Sequence, residues 1–280
     1  MILEGSVLRA VAGVAILAWA VPSAIAQTEA EGNSAPEADQ VVEEAGEDAP
    51  QGLLPVPDYS GELGEREYLL GDWLGSRQRL ADEGFTARFD VTQHLQSVTS
   101  GGIDTGTEYG AAADLLLQLD LYRMGVMPGA LLTIRGESRL GGSVNPDVGL
   151  LFPTNLDLGF PLTDPVDDEL PFAITELTYT QFLSEKFAVT AGKINTLGGD
   201  STEFAGGRGQ TQFMNAQLVF NPVMGFSVPY STLGVGFYAL PTDGVTLSGA
   251  LVNSTDSSTN SGFGDFGEGW TFLFESNFRH

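Results

Sequence analysis

The chain has 280 residues, with 12 Lys and Arg set against 37 Asp and Glu, a formal net charge of -25, 36 glycines and no cysteine. So acidic a chain repels nucleic acid and anionic lipid surfaces, and the absence of Cys excludes disulfides, thiolate metal sites, a Cys nucleophile and the acylated Cys of a lipoprotein. Hydrophobic residues make up 42% and the mean hydropathy is +0.03, too low for a bundle of transmembrane helices of about 20 apolar residues each; a β-barrel escapes that test because its lipid-facing and lumen-facing residues alternate.

The N-terminus carries Arg9, an apolar run from Val11 to Val21, then Pro22 and Ala24-Ile25-Ala26. This predicts a secretory signal peptide over residues 1–26 with cleavage before Gln27; the run is too short for the alternative, an uncleaved anchor. Residues 27–64 read as a flexible acidic segment, because Glu29, Glu31, Glu37, Asp39, Glu43, Glu44, Glu47 and Asp48 are accompanied by few residues able to enter a core. A solvated linker without a specific partner is its simplest role.

Residues 65–84 carry the one helical pattern. Leu69, Leu70, Trp73, Leu74, Arg77, Leu80 and Ala81 recur at helix spacing, and Gly84 is placed to stop it. Gly71 and Gly75 weaken the helix, so packing must hold it. Too short and too charged to span a bilayer, it is suited to a plug or lid at one mouth of a barrel.

After Gly84 the period changes from 3.6 to 2. Phe85, Ala87, Phe89, Val91 and Leu95 share a face opposite Thr86, Arg88, Asp90, Thr92 and His94. From Tyr109 to Tyr122, Tyr109, Ala111, Ala113, Leu115, Leu117, Leu119 and Leu121 oppose Asp114, Gln118 and Asp120; next, Leu132, Ile134 and Leu140 oppose Thr133, Arg135, Glu137 and Arg139. Further strands are expected at Phe172–Leu183, Phe187–Ile194, a short one around Asn215–Phe220, then Thr232–Leu240, Val245–Val252 and Trp270–Phe278. Compact turns at residues 123–129, 184–186 and 242–244 alternate with long loops such as 141–171, as in outer-membrane barrels. The fold class expected is therefore all-β, a transmembrane antiparallel β-barrel domain over residues 85–280 with a short N-terminal plug-like helix. Roughly nine strands are counted; because single-chain bacterial barrels use an even number, a sequence truncated at its C-terminus is expected.

The run Gly71-Asp72-Trp73-Leu74-Gly75-Ser76-Arg77-Gln78-Arg79-Leu80 resembles the Gly-Asp-Trp-x-Gly-x-Arg-x-x-Leu segment that opens the carbohydrate-selective porin family. Residues Glu176 to Asn195, Asp200-Ser201-Thr202-Glu203-Phe204 with Phe213-Met214-Asn215, and Val228-Pro229-Tyr230-Ser231-Thr232-Leu233-Gly234-Val235 are similar to further blocks of that family, in the family's order. The resemblance implies a barrel of about 16 strands in the outer membrane of a Gram-negative-type bacterium. It also implies passive passage of small neutral sugars, no cofactor and no catalysis, with Gly71, Asp72, Trp73, Gly75, Arg77 and Leu80 as the motif positions.

Sugars in such a lumen are held by carboxylates and guanidinium forks. Arg135, Glu137 and Arg139, at spacing two, are the first candidates for pore-lining or sugar-contacting residues; a salt-bridge ladder that stiffens the wall is the equal alternative. Glu176, on a face with Thr178 and Thr180, and Lys193 are further candidates, with Asp200, Glu203 and Arg208 in a loop able to fold inward. An enzyme is disfavoured: only His94 and His280 exist, and no Gly-x-Ser-x-Gly accompanies them. The competing readings are a general cation-favouring or structural outer-membrane barrel, and a secreted glycan-binding β-sandwich. The partners expected are sugars and lipid, with assembly into homo-oligomers left open; nucleic acid is excluded.

Overall fold

The computed structural model describes residues 52–161, 172–198, 207–219, 225 and 227–278. The signal peptide, most of the acidic segment, Asp200 and Glu203 lie outside the described residues.

Eight strands follow one another: β1 (Phe85–Val98), β2 (Gly106–Asp120), β3 (Ala130–Gly141), β4 (Ala173–Ser184), β5 (Phe187–Asn195), β6 (Ser231–Thr242), β7 (Val245–Asn253) and β8 (Trp270–Phe278). Each pairs antiparallel with its sequence neighbours, giving one sheet in the order β1-β2-β3-β4-β5-β6-β7-β8. Its turns at residues 121–129, 185–186 and 243–244 lie at one end and its longer loops at the other. No helix among the described residues is long and apolar enough to cross a membrane.

Directly paired residues share a face, so the register extends the alternation of each strand across the sheet. One row runs Phe85–Leu119–Leu132–Tyr179–Ala191–Val235–Leu251–Phe272, one residue from each strand. The neighbouring row on that face includes Ala87, Leu117, Ile134 and Leu177. On the opposite face Asp90 pairs with Asp114, Asp114 with Glu137, and Leu116 with Arg135, which pairs with Glu176.

Burial is inverted relative to a water-soluble sheet. Phe89, Val91, Leu95, Leu140, Leu177, Val235, Leu251, Phe272 and Phe274 are exposed, whereas Asp114, Asp120, Thr133, Arg135, Glu137, Thr178 and Thr190 are buried. An apolar face turned outward and a polar face turned inward is the arrangement that hydrocarbon surroundings stabilise.

Three sequence expectations are corrected. The helix expected over residues 65–84 is only α1 (Ser76–Asp82). Gly71, Trp73, Leu74 and Gly75 all take left-handed φ (58, 50, 60 and 84°), which a right-handed helix cannot accommodate. The consequence is that Leu69, Leu70, Trp73 and Leu74 point outward instead of forming a helix face. The short strand expected around Asn215–Phe220 is instead a helical turn, α2 (Ala216–Val219), so eight strands rather than nine stand among the described residues. Ala216 and Val219, three apart, pack with Phe152 and Leu156 of the β3–β4 loop, an apolar contact between loops that spacing three serves and spacing two does not.

The acidic segment also ends earlier than residue 64. Leu53, Leu54 and Tyr59 are buried; the Leu53 and Leu54 amides donate to one Asp120 carboxylate oxygen at 2.5 and 3.0 Å, and Arg123 Nη2 donates to the Leu54 carbonyl at 2.8 Å. This ties the segment to the short-turn end. Gly84 makes the junction with β1 possible: at φ 102° its position leaves no room for a Cβ, which would sit 2.8 Å from the Asp120 carbonyl oxygen.

Candidate functional site

The inner face of β1–β3 brings three carboxylates, Asp90, Asp114 and Glu137, into one cross-strand row. Like charges directly opposite destabilise a sheet unless cations separate them. Arg88 Nε meets Asp90 Oδ2 at 2.6 Å, and Arg139 spans the other two, with Nη1 3.0 Å from Asp114 Oδ1 and Nη2 3.1 Å from Glu137 Oε1. One strand further, Arg135 Nε meets Glu176 Oε2 at 3.3 Å, and Thr178 donates to Glu176. A bulge between the pairs Arg135–Glu176 and Gly136–Ile174 re-aims the start of β4 at this point.

Two long loops fold onto this face. From the β3–β4 loop, Asp157 takes His94 Nε2 at 2.8 Å, Asn155 Nδ2 donates to Gln96 at 2.7 Å, and the Phe160 carbonyl takes Arg139 Nε at 2.7 Å. From the β5–β6 loop, Arg208 Nη2 donates to Glu137 Oε1 at 2.9 Å and Nη1 to Asn195 at 3.1 Å, and Gln210 Nε2 bridges Asp114 and Asp157 at 2.5 and 2.9 Å. At the end of that loop the Tyr230 hydroxyl sits 2.7 and 2.6 Å from the two Glu137 oxygens, and its ring stacks on Phe160 with centroids 5.0 Å apart. Glu137 is 0% exposed as a result.

The charges are held in place electrostatically as well as by shape. Burial alone would discourage the Arg208 charge, but the Tyr230 oxygen and the carboxylates of Glu137, Asp114 and Glu176 together raise its pKa above the ordinary value. Burial pushes the Tyr230 phenol well above its usual range, so it stays protonated and remains a donor to Glu137.

Of the sequence candidates, Arg135, Glu137, Arg139, Glu176 and Arg208 come together here. Lys193 stands apart: it pairs with Leu177 and Leu233, and its ammonium donates to the Asn260 and Ser258 carbonyls at 2.8 and 3.3 Å, pinning the β7–β8 loop. Asp157, Gln210 and Tyr230 were not singled out from sequence. Tyr230 lies inside the Val228–Val235 block, which carries a signal; Asp157 sits in an aperiodic loop that offers none. Among the described residues no group of three or more His, Asp or Glu side chains is arranged to hold a metal ion.

The motif residues build a different device at the short-turn end. The Arg77 guanidinium carbon lies 4.0, 4.5 and 5.5 Å from the ring centroids of Tyr59, Tyr68 and Trp73, and its Nη2 donates to the Ala87 carbonyl at 2.8 Å. Asp72 takes the Gln78 amide at 2.7 Å at the start of α1. Gly71 and Gly75 supply left-handed turns, and Leu80 lies on the partly exposed side of α1.

The profile of the carbohydrate-selective porin, OprB family, matches residues 105–280. The chain belongs to this family. OprB-family proteins are porins of the bacterial outer membrane, channel proteins rather than enzymes. The chain is similar to the high-pH structure of Pseudomonas putida OprB, with a TM-score of 0.62 and 16% identity over 79% of this chain and 52% of that one. The low-pH structure of the same protein gives 0.40 and 13% over 67% and 54%. No curated protein matches the chain. The first of these likenesses shows the antiparallel porin fold, and the chain spans about half the length of the OprB structures it matches.

Proposed function

We propose that the chain forms channel wall through which small neutral carbohydrates diffuse passively, without cofactor or catalysis, in a bacterial outer membrane. The observation that carries this reading is the inverted burial, an apolar face turned outward and paired carboxylates and guanidinium groups turned inward. Such pairs present hydroxyl-sized donors and acceptors along the wall while their opposed charges leave little net field to favour an ion over a sugar. The Arg88–Asp90 pair, the most open of these ion pairs, and the partly exposed Glu176 are the residues a sugar would meet.

The test is reconstitution of the protein into liposomes and planar bilayers. Swelling that slows with increasing sugar size, and reduction of ion current by added neutral sugar, are expected. Ion current unaffected by sugar, with no swelling, would return the general cation-favouring barrel instead.

A further inference from the structure

We propose that Glu137 is a positioning residue: it never touches the solute, and it sets the aperture by clamping both inward loops to the wall. This rests on the channel reading.

Glu137 projects from β3, so its position is fixed by the sheet on both sides, through Asp114 of β2 and Ala173 of β4. Its carboxylate is fully enclosed, and three donors enclose it. Arg139 is one, and the Nε of the same guanidinium holds the Phe160 carbonyl of the β3–β4 loop. Arg208 and Tyr230 are the other two, both from the β5–β6 loop. The ring of Tyr230 then stacks on Phe160, closing the circuit between the loops. A single carboxylate is therefore the shared acceptor for one loop directly and for the other through Arg139.

The backbone supports the same reading. Arg208 is a non-glycine residue at φ 54°, between Gly207 at 63° and Gly209 at 85°. Holding a bulky side chain in the left-handed region is costly and persists where the surroundings over-determine it. Here the surroundings are Glu137, Asn195 and Tyr230, which take both Nη groups of Arg208. Losing the carboxylate charge would leave two guanidinium groups facing each other in an enclosed space. Arg139 keeps Asp114, but Arg208 is left with the neutral Asn195 and Tyr230; its route to solvation is outward movement of the loop that carries it, and the aperture would widen with it.

The experiment compares the wild type with Glu137→Gln, Glu137→Asp and Tyr230→Phe in the whole protein, each checked for heat-modifiable gel mobility as the sign of a folded barrel. Two readouts are taken: single-channel conductance, and trypsin cleavage after Arg208 identified by mass. In the folded Gln variant, conductance is expected to rise by about twofold or more and cleavage after Arg208 to appear. The Asp variant, which keeps the charge with a shorter reach, should largely restore protection. Protection and conductance both unchanged in a folded Gln variant would overturn the proposal. Should the Gln variant not fold, Tyr230→Phe decides: it removes one donor to Glu137 and keeps the ring stack, and partial exposure of Arg208 supports the clamp while wild-type protection refutes it. Because proteolysis does not depend on conduction, a protein that passes no sugar but shows the cleavage pattern would sink the channel reading alone.

Discussion

The guanidinium of Arg77 stacks 4.0 Å above the ring of Tyr59, so that a residue of α1 and a residue of the otherwise acidic N-terminal segment hold each other at the base of β1. Cation–π contacts are worth about 0.5–2 kcal/mol each, and a planar guanidinium stacks where an ammonium cannot. Arg77→Lys is therefore expected to loosen residues 53–66 while leaving the barrel folded. Faster trypsin cleavage after Arg66 in the folded variant is the result to look for; wild-type cleavage rates would show that the cage does not anchor the segment.

Leu177 lies in mid-strand on the outward face, paired with Ile134. If that face meets hydrocarbon, Leu177→Arg should destabilise the protein by about 2–4 kcal/mol in lipid, the range for a cation near the bilayer midplane. Urea unfolding in phospholipid vesicles measures this. An unchanged midpoint would mean that Leu177 faces water or another protein.

How far the fold could be read in advance depends on what set each element. β8 is found at the Trp270–Phe278 bounds expected, and β1 and β2 carry their alternation as predicted, because period 2 is written into single residues such as Leu115, Leu117 and Leu119. The apolar spacing of Leu69, Leu70, Trp73 and Leu74 imitates a helix face over residues 65–84; only the left-handed backbone at Trp73 and Leu74 reveals a turn. The inward triplet Arg135, Glu137 and Arg139 was legible from spacing, but its cover was not. That Asp157, Gln210 and Tyr230 would close over Glu137 depends on how two loops fold back, and loop return carries no periodicity.

Arg139 faces three carboxylates: Asp114 at 3.0 Å, Glu137 at 3.1 Å and Asp157 at 3.8 Å. Removing one partner of a buried ion pair costs about 3–5 kcal/mol, because the remaining charge stays buried. Arg139→Ala is thus expected to lower stability by that order, whereas Arg88→Ala, in the most open of these ion pairs, should act on transport. For Arg88→Ala the expected results are a shift of ion preference toward cations and a sugar block weakened by about tenfold, the equivalent of one charge-assisted hydrogen bond. Unfolding midpoints and reversal potentials separate the two. Equal, small effects of both substitutions would reduce the ladder to wall-stiffening charge.

Tyr68, outside the strands, has its phenol pKa pushed up to about 12, chiefly by burial and then by Glu67. A group whose folded value is raised contributes stability that is complete below its unfolded value of about 10 and fades as pH climbs through the folded one. The N-terminal segment should therefore hold at pH 9 and loosen between about pH 10 and 12. Ultraviolet titration of phenolate, compared with Tyr68→Phe, isolates this group; ionisation at the ordinary tyrosine value would show that Tyr68 is not packed as described.

Because each strand of the described sheet bonds only to its neighbours in sequence, the sheet can be assembled one hairpin at a time. At every stage short of closure the newest strand offers a row of bare amides and carbonyls, which hydrocarbon cannot solvate. Growth inside the bilayer therefore has no stable resting point. Insertion must either be cooperative to the last seam or proceed against a surface that pairs with the growing edge until the wall is complete. The outward aromatic and leucine row sharpens the same constraint, since before insertion that row faces water, where its association with other apolar surface is favoured.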